Sequence, residues 1–588
     1  MLISPKKVAL AFATTLLTST ILSGLSGPLA AQEAVQPETT HAVVEKQSVK
    51  SQKFMVASAN PIATQVGYEV LERGGTAADA AVAVQFMLNL VEPQSSGIGG
   101  GAFMVYWDAK TKSLTTFDGR EKAPMSATPD YWLGADGQPV KWFDAVVGGK
   151  SVGVPGTLKL IETVQKRYGN QDWASLIEPT RALAAGGFQV SHRMASSIAK
   201  AVGKRKLEAM PDTRAYFFDK NGNPLKTGTL LRNPEFAAAL AMIQKQGSKV
   251  FYEGQIAKDI VAAVKTEENG GVLTLADMKA YTVVERKPAC APYRGYDVCG
   301  MGPPSSGALT VGQILSVLSN YDLPAMGPGA ESTHLYLEAA KLAYADRGLY
   351  MADSDFVKMP EGLLNQAYLK SRAALIDPSK TMGKADAGTP PWKEASVYSP
   401  DTQLERPGTS HFSIVDAEGN VVSITTTIET GFGSRVMSNG FLLNNELTDF
   451  SRAPEKDGKP IANRVEGGKR PRSSMAPTIV LKDGVPMLAI GSPGGSRIIN
   501  YVAQSVIGIL DFGMDPQVAI SQPHIVNRNG ATDVEENTDA LAMIPALEAL
   551  GHETNVRDLN SGLHAILIKD GELIGAADSR REGTVMGD

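Results

Sequence analysis

Two short motifs could carry chemistry, and the context of each sets it aside. Gly149-Lys150-Ser151-Val152-Gly153 matches the G-x-S-x-G turn that presents a serine nucleophile between a strand and a helix. Val154-Pro155-Gly156 follows at once, and proline with glycine opposes the helix the motif needs, so Ser151 reads as part of a structural turn. Gly97-x-Gly99-x-x-Ala102 loosely fits a dinucleotide fingerprint. Its order is inverted, with a helix before and a strand after, which points to close backbone packing instead. The seven histidines are scattered with no H-x-x-x-H pair, and there are only two cysteines. No transition-metal site is expected from them.

A more informative set begins at Pro407-Gly408-Thr409-Ser410-His411-Phe412-Ser413. A glycine-threonine pair before a strand says little alone. Four later segments extend it: Thr425-Thr426-Thr427-Ile428-Glu429, Leu443-Asn444-Asn445-Glu446-Leu447-Thr448-Asp449-Phe450, Lys469-Arg470-Pro471-Arg472-Ser473-Ser474-Met475 and Gly491-Ser492-Pro493-Gly494-Gly495-Ser496. Together with Phe117-Asp118-Gly119-Arg120-Glu121-Lys122-Ala123-Pro124 they resemble the γ-glutamyltranspeptidase (glutathione hydrolase) family. The resemblance runs from about residue 55 to Arg580-Arg581-Glu582-Gly583, with the motifs in the family's order and at compatible spacings.

The resemblance implies an α+β fold, the four-layer αββα sandwich of N-terminal nucleophile hydrolases, with a helix-rich large-subunit portion. It implies one precursor that cuts itself between Gly408 and Thr409 into a large subunit, 55–408, and a small catalytic subunit, 409–588. The implied activity is that of a γ-glutamyltransferase and glutathione hydrolase. Thr409 would attack a γ-glutamyl amide, and the γ-glutamyl-enzyme would pass its acyl group to water or to an amino acid or dipeptide acceptor. Glutathione and other γ-glutamyl compounds would be donors, and no cofactor is implied. By the same resemblance Thr427 hydrogen-bonds the nucleophile, and Gly494 and Gly495 form an oxyanion hole. Arg120 holds the donor α-carboxylate with Ser473 and Ser474, Glu446 and Asp449 hold its ammonium, and Glu429 also contacts the head group.

Elementary chemistry agrees with these assignments. A threonine hydroxyl is a poor nucleophile without a base. Cleavage before Thr409 frees an α-amine with a reference pKa of about 7.7–8.0, which can accept the hydroxyl proton near neutral pH. One residue then supplies nucleophile and base. Glycine at 408 leaves the backbone free for a strained approach. A zwitterionic head group needs a cation and hydroxyl donors at one end and anions at the other. Two backbone N–H groups at Gly494 and Gly495 would stabilise a tetrahedral oxyanion. His411 shares a strand face with Thr409, and packing or hydrogen bonding near the site is its expected role.

Two features depart from the family pattern. Some members carry a lid tyrosine between the positions of Asp449 and Ser473, whereas residues 450–472 here have none and are rich in Pro and Gly. A partly open site that admits larger substrates is expected. Arg472 stands where an apolar residue is more common, with no effect that sequence alone assigns. Competing readings are a glutaryl-cephalosporin-type acylase on the same fold, an inactive secreted relative, and the Ser151 hydrolase set aside above. Retention of both Glu446 and Asp449 opposes the acylase reading as the main activity.

These residues need elements to position them. Phe412 to Asp416 alternates apolar and polar residues, and Val421 to Ile428 is β-branched, so the pair reads as a hairpin. Pairing Asp416 with Val421 across a four-residue turn would set Thr409 opposite Ile428, and a single bulge would bring Thr427 beside Thr409. Further strands are expected at Ala102–Trp107, 440–443, 478–482 and 487–490. Asn60-Pro61 and Thr76 with Asp79 mark helix starts, and the second helix, Ala80 to Val91, is apolar on nearly all sides and should be buried. Helices are also expected near 234–246 and 331–350. The order, helices first and strands later, suggests packed sheets flanked by helices. Residues 380–408 read as an exposed linker.

Cys290 and Cys299 flank a candidate two-residue hairpin loop at Arg294-Gly295. That register puts them opposite each other at disulfide range, which an exported protein permits; two free thiols are the alternative. Residues 1–31 read as a signal peptide, with Lys6 and Lys7 before an apolar stretch, and 32–54 as a disordered leader. The location implied is periplasmic or secreted, with no stable membrane anchor. At 588 residues, 43% hydrophobic and with a net charge of -5, the chain can bury a large core and shows no nucleic-acid surface.

Overall fold

The computed structural model describes residues 1, 40, 43–392 and 397–588. The expected signal segment, apart from Met1, lies outside the described residues. Two seven-stranded sheets form the centre. The first runs β1 (Val49–Ser51), β13 (Glu572–Ala577), β12 (His564–Lys569), β11 (Val485–Gly491), β10 (Thr478–Lys482), β7 (Tyr296–Gly300), β6 (Ala289–Tyr293). The second runs β14 (Thr584–Gly587), β2 (Met55–Ser58), β8 (Thr409–Val415), β9 (Val421–Thr427), β3 (Gly101–Asp108), β4 (Ser113–Gly119), β5 (Val284–Arg286). Every neighbouring pair in both sheets is antiparallel.

Three apolar layers give the expected αββα order. Phe412, Ile414, Val422 and Ile424 of the second sheet pack under α1 (Pro61–Glu72), α2 (Ala77–Val91) and α3 (Thr157–Tyr168). Val480, Leu488 and Ile490 of the first sheet pack under α4 (Gly307–Leu318), α5 (Ala330–Tyr350) and α6 (Ile498–Leu510). Met55, Val105, Val415, Ile479 and Ala489 meet between the sheets. The period-2 alternation of β8 therefore sends Phe412 and Ile414 to the helices, and Thr409, His411, Ser413 and Val415 to the space between the sheets. His411 is held there by Thr425 at 2.9 Å and Ser413 at 3.1 Å.

Local signals behave as their chemistry dictates. The Asn60 side chain accepts from Ile62 N with Pro61 at the first helical position, and Thr76 and Asp79 form a capping box. All of α2 is buried. The expectation of helices first and strands later needs correction, since β1 to β7 all precede Thr409. The run 97–101 allows close approach: a Cβ on Gly100 would lie 1.9 Å from Thr427 O. Ser151 sits in a turn, its hydroxyl donating to Val146 O at 2.6 Å and Gly148 O at 3.0 Å. Cys290 and Cys299 pair across the β6–β7 hairpin and form a disulfide, with Tyr293 opposite Tyr296. Among the described residues, no helix is long and apolar enough to cross a membrane.

Two further expectations are corrected. The leader expected to be disordered to residue 54 is ordered in its described part: β1 pairs with β13, and Lys46 Nζ donates to the carbonyls of Asp578, Arg581 and Gly583. Main-chain pairing by a three-residue edge strand, and one ammonium on three carbonyls, leave no hydrophobic period to read. The β8–β9 hairpin needs no bulge, because Val415 rather than Asp416 faces Val421, and Thr409 faces Thr427 directly. The reason is Asp416, whose carboxylate accepts from Glu418 N, Asn420 N and Nδ2, and Ala77 N, which draws it out of the strand into the turn.

Replacing Asp416 by Ala leaves these donors without their acceptor. The expected cost is about 1–3 kcal/mol for buried donors left unpaired, read as a lower urea midpoint than in a Glu418→Ala control. An unchanged midpoint would remove Asp416 as the residue that fixes the register.

Candidate active site

Thr409 opens β8 at the interior of the second sheet and is 3% exposed. Its hydroxyl donates to Thr427 Oγ1 at 3.3 Å. Thr427 Oγ1 in turn donates to Gly408 O at 2.9 Å and accepts from Glu429 N at 2.8 Å. With its own proton committed to the Gly408 carbonyl, the Thr427 hydroxyl meets Thr409 as an acceptor. It thus orients the hydroxyl and polarises the carbonyl of the adjacent Gly408–Thr409 bond. Gly408 is required by contact and not by unusual backbone: a Cβ there would lie 2.1 Å from Glu429 O, and its φ is not in the left-handed region. Behind the strand, Ser410 donates to Glu92 at 2.8 Å, and Arg581 Nη1 donates to Thr409 O at 3.2 Å.

The remaining expected residues converge on this threonine. Arg120, Glu429, Glu446, Asp449, Ser473, Ser474 and Gly495 line one narrow pocket with Thr409 and Thr427. Arg120 follows the end of β4. Glu446 and Asp449 share one turn of 3-10 helix, so their three-residue spacing aims both inward. Ser473 is fixed by Ser306, whose N–H and hydroxyl both donate to Ser473 O. Gly494 and Gly495 form the corner between β11 and α6, with φ of 133° and 59° that favour glycine. Glu429 itself adopts φ 76°, the kind of local strain that functional sites retain.

The charges are not arranged as separate ends. Arg120, 1% exposed, is gripped by the acids: Nη1 donates to Glu446 and Nη2 to Asp449 at 2.6 Å. Its Nε donates to Pro471 O at 3.2 Å, and Nη2 also to Arg472 O at 3.0 Å. Glu121 lies 3.8 Å from Arg120 Nη1, against Gly101. Four carboxyl groups, Glu121, Glu429, Glu446 and Asp449, therefore surround one guanidinium. Burial, first of all, pushes each of them up, and the neighbouring acids add to it; Glu121 is raised to about 7 despite Arg120. A pocket short of positive charge is suited to an ammonium group.

Sequence reasoning missed the residues that fill the other side. Glu405, read as part of an exposed linker, is 6% exposed. Its carboxylate accepts from Arg347 Nη2, from Arg472 Nε at 3.2 Å and from Ser474 Oγ at 3.0 Å. Burial alone would raise it, but Arg347 and Arg472 hold it down to about 2. Arg472 also binds Asp401 at 3.0 Å. The segment before Thr409 is thus fastened into the site, and the linker expectation is corrected for 399–408. The loop 450–472 folds onto it: Ile461 pairs with Ser399, and Gln403 donates to the carbonyls of Thr448 and Phe450. Among the described residues one buried cluster, His334, Glu338 and His552, has the spacing of metal ligands. Its atoms are already engaged: Glu338 is paired with Lys341 at 2.7 Å, and the two imidazoles bond each other at 2.8 Å.

Comparisons with known proteins agree with this geometry. Residues 63–588 match the family model described as gamma-glutamyltranspeptidase. The glutathione hydrolase proenzyme of Escherichia coli (strain K12) is 38% identical over 591 aligned positions, covering 98% of this chain and 97% of the relative. The glutathione hydrolase proenzyme of Bacillus subtilis (strain 168) is 37% identical, covering 97% of each. A solved cephalosporin acylase from Bacillus halodurans superposes with a TM-score of 0.82 at 27% identity, over 93% of this chain and 97% of that one.

The acid cluster sets a pH dependence of stability. Glu121 keeps its proton to about 7 in the folded chain but loses it near its ordinary value of 4.5 when unfolded. The folded state therefore binds more protons between these values, and stability falls as pH rises through that window. Glu121→Gln is expected to flatten this part of the Tm-against-pH curve. An equal slope in both proteins would mean that Glu121 ionises normally.

Proposed function

The chain belongs to the gamma-glutamyltranspeptidase family, and on that premise we propose that it is an autoprocessed γ-glutamyltransferase and glutathione hydrolase with Thr409 as nucleophile. The observation that carries the reading is the Thr409 hydroxyl, hydrogen-bonded to Thr427 and placed beside Gly408 at the edge of a pocket with one guanidinium and an excess of carboxyl groups.

In the uncut chain, Thr409 Oγ attacks the Gly408 carbonyl carbon while Thr427 donates to the carbonyl oxygen. The C–N bond breaks, Gly408 becomes esterified to Thr409, and the Thr409 nitrogen takes the proton as a free amine. Water then hydrolyses the ester and leaves a carboxylate on Gly408. The new amine serves as base for the second reaction. Thr409 Oγ attacks the γ-carbonyl of the donor, the oxyanion is met by the Gly494 and Gly495 amides, and the amine returns the proton to the leaving nitrogen. Water or an amino acid or dipeptide acceptor completes the cycle. Arg120, Ser473 and Ser474 would hold the donor α-carboxylate, and Glu446, Asp449 and Glu429 its ammonium. The ammonium takes over part of the acid charge that Arg120 carries in the free site. Processing would yield a large subunit ending at Gly408 and a small one of 409–588, and export to the periplasm or outside the cell accords with the signal-like segment 1–31.

The acylase reading has one observation in its favour, the similarity to a cephalosporin acylase. A glutaryl group has no ammonium, so it would leave Glu446, Asp449 and Glu429 buried without a counter-charge.

Intact mass of purified protein held at neutral pH is expected to show two chains, the smaller starting at Thr409, and a single chain for Thr409→Ala. A wild type that stays whole after long incubation would overturn the proposal. For the cut enzyme, a γ-glutamyl anilide is expected to exceed the glutaryl anilide in kcat/KM by roughly a hundredfold or more, since buried groups left unpaired discriminate strongly. The reverse preference would favour the acylase.

A further inference from the structure

We propose that Glu405 is a built-in stand-in for the donor α-carboxylate, and that Arg347 and Arg472 form the anion subsite that receives this carboxylate once the Glu405 segment has left. The inference rests on the γ-glutamyl reading and adds two specificity-determining residues to it.

Glu405 lies on the segment that ends at Gly408. Its Oε2 accepts from Ser474, one of the two serines assigned to the donor carboxylate, and its Oε1 accepts from Arg347 and Arg472. Arg347 Nη2 also donates to Ser474 Oγ at 2.8 Å. A carboxylate therefore already occupies the hydroxyl that the donor needs. The main chain of the same residues covers the corner proposed as the oxyanion hole. Glu405 O accepts from Ser496 N at 3.1 Å, and a Cβ on Gly495 would lie 2.6 Å from Arg406 C and 2.7 Å from Glu405 O. No acyl donor fits against Gly495 and Thr409 while this segment stays, so turnover requires it to leave.

Its departure strands positive charge. Arg347 keeps only Ser306 Oγ, at 2.8 Å, and Ser474 of the bonds described here. Arg472 loses Glu405 and, on the same segment, Asp401, and its Nη1 is already buried without a hydrogen-bond partner. Buried guanidinium groups without a counter-charge are strongly unfavourable, so the vacated place selects an anion. Arg120 is a poor sole candidate for the donor carboxylate, because Nε, Nη1 and Nη2 are all spent on Pro471, Glu446, Asp449 and Arg472 O. Arg347 and Arg472 supply the charge that Arg120 shares with the acids.

The test compares the processed wild type with Arg472→Leu and Arg472→Lys on γ-glutamyl-p-nitroanilide and on 4-aminobutyryl-p-nitroanilide, which lacks the α-carboxylate. Arg472→Leu is expected to raise KM for the γ-glutamyl donor about tenfold or more, with kcat within about twofold and KM for the decarboxylated donor unchanged, as loss of a charge-assisted bond to the carboxylate requires. Lys should recover part of the loss. Unchanged KM for the γ-glutamyl donor in Arg472→Leu overturns the proposal. Should that variant remain uncut, the wild type decides: a peptide of residues 401–408 is expected to compete with the donor, and the same peptide with Gln at 405 to be about tenfold weaker. Equal potency, or no inhibition by either peptide, overturns it. A wild type that is cut yet inert towards γ-glutamyl donors would instead refute the underlying reading.

Discussion

The Thr427 hydroxyl is the contact on which the rest of the site depends. It accepts from Thr409 and from Glu429 N, and it donates to Gly408 O. One oxygen thereby fixes the nucleophile, the carbonyl it would attack and the first residue of the loop that carries Glu429. This works only in one strand register, Thr409 opposite Thr427. The register follows from the turn, where Asp416 leaves the strand to collect donors from its own loop and from Ala77 at the start of α2. A slip of one residue would send the Thr409 side chain into the helix layer beside Glu92. The glycines at 100 and 408 belong to the same constraint, since a side chain at either would collide with the backbone around Thr427 and Glu429.

Charge balance is the second constraint. A pocket of buried carboxyl groups around Arg120 and a pair of buried arginines around Glu405 are each unfavourable alone. In the uncut chain they neutralise within themselves, partly by raised carboxyl pKa values on one side and partly by the ion pairs of Glu405 on the other. A zwitterionic head group has the two charges that these neighbouring regions lack when the segment is absent. The same electrostatics that hold the precursor closed therefore prepare the cut protein for its donor.

Much of this was legible in the sequence, and the limits have physical causes. Elements with strong local signals were readable: the caps at Asn60 and Thr76, the strand Thr478–Lys482, the helix Pro234–Gln246 and the hairpin that joins Cys290 to Cys299. The pocket residues were readable because they lie in contiguous motifs. The hairpin register was misjudged by one residue because a side chain in the turn, not strand propensity, decides where pairing stops. Glu405, Arg347 and Glu121 were not identified as site residues, since a lone charge in a Pro- and Ser-rich stretch or on a helix resembles a solvated one. Only the fold brings Arg347 of α5, Arg472 and Glu405 together. The described leader residues failed for a related reason, because Lys46 acts through three carbonyls near the far end of the chain.

That last contact bears on how a chain could be cut beside its central strand and remain one body. Each sheet draws strands from both sides of Thr409: β1, β6 and β7 join β10 to β13, and β2 to β5 join β8, β9 and β14. Breaking the bond before β8 removes no ladder hydrogen bond, because Gly408 lies outside the strand. The two parts stay interleaved through β2–β8, β3–β9 and β7–β10. Lys46 and β1 meanwhile tie the start of the described chain to residues 573–583, and Arg581 in that stretch donates to Thr409 O. The nucleophile is therefore anchored from behind by contacts that the cut does not touch, while everything before Gly408 on the pocket side is held by ion pairs alone. Hydrogen-bonded strands fix the half that must not move, and exchangeable charges hold the half that must.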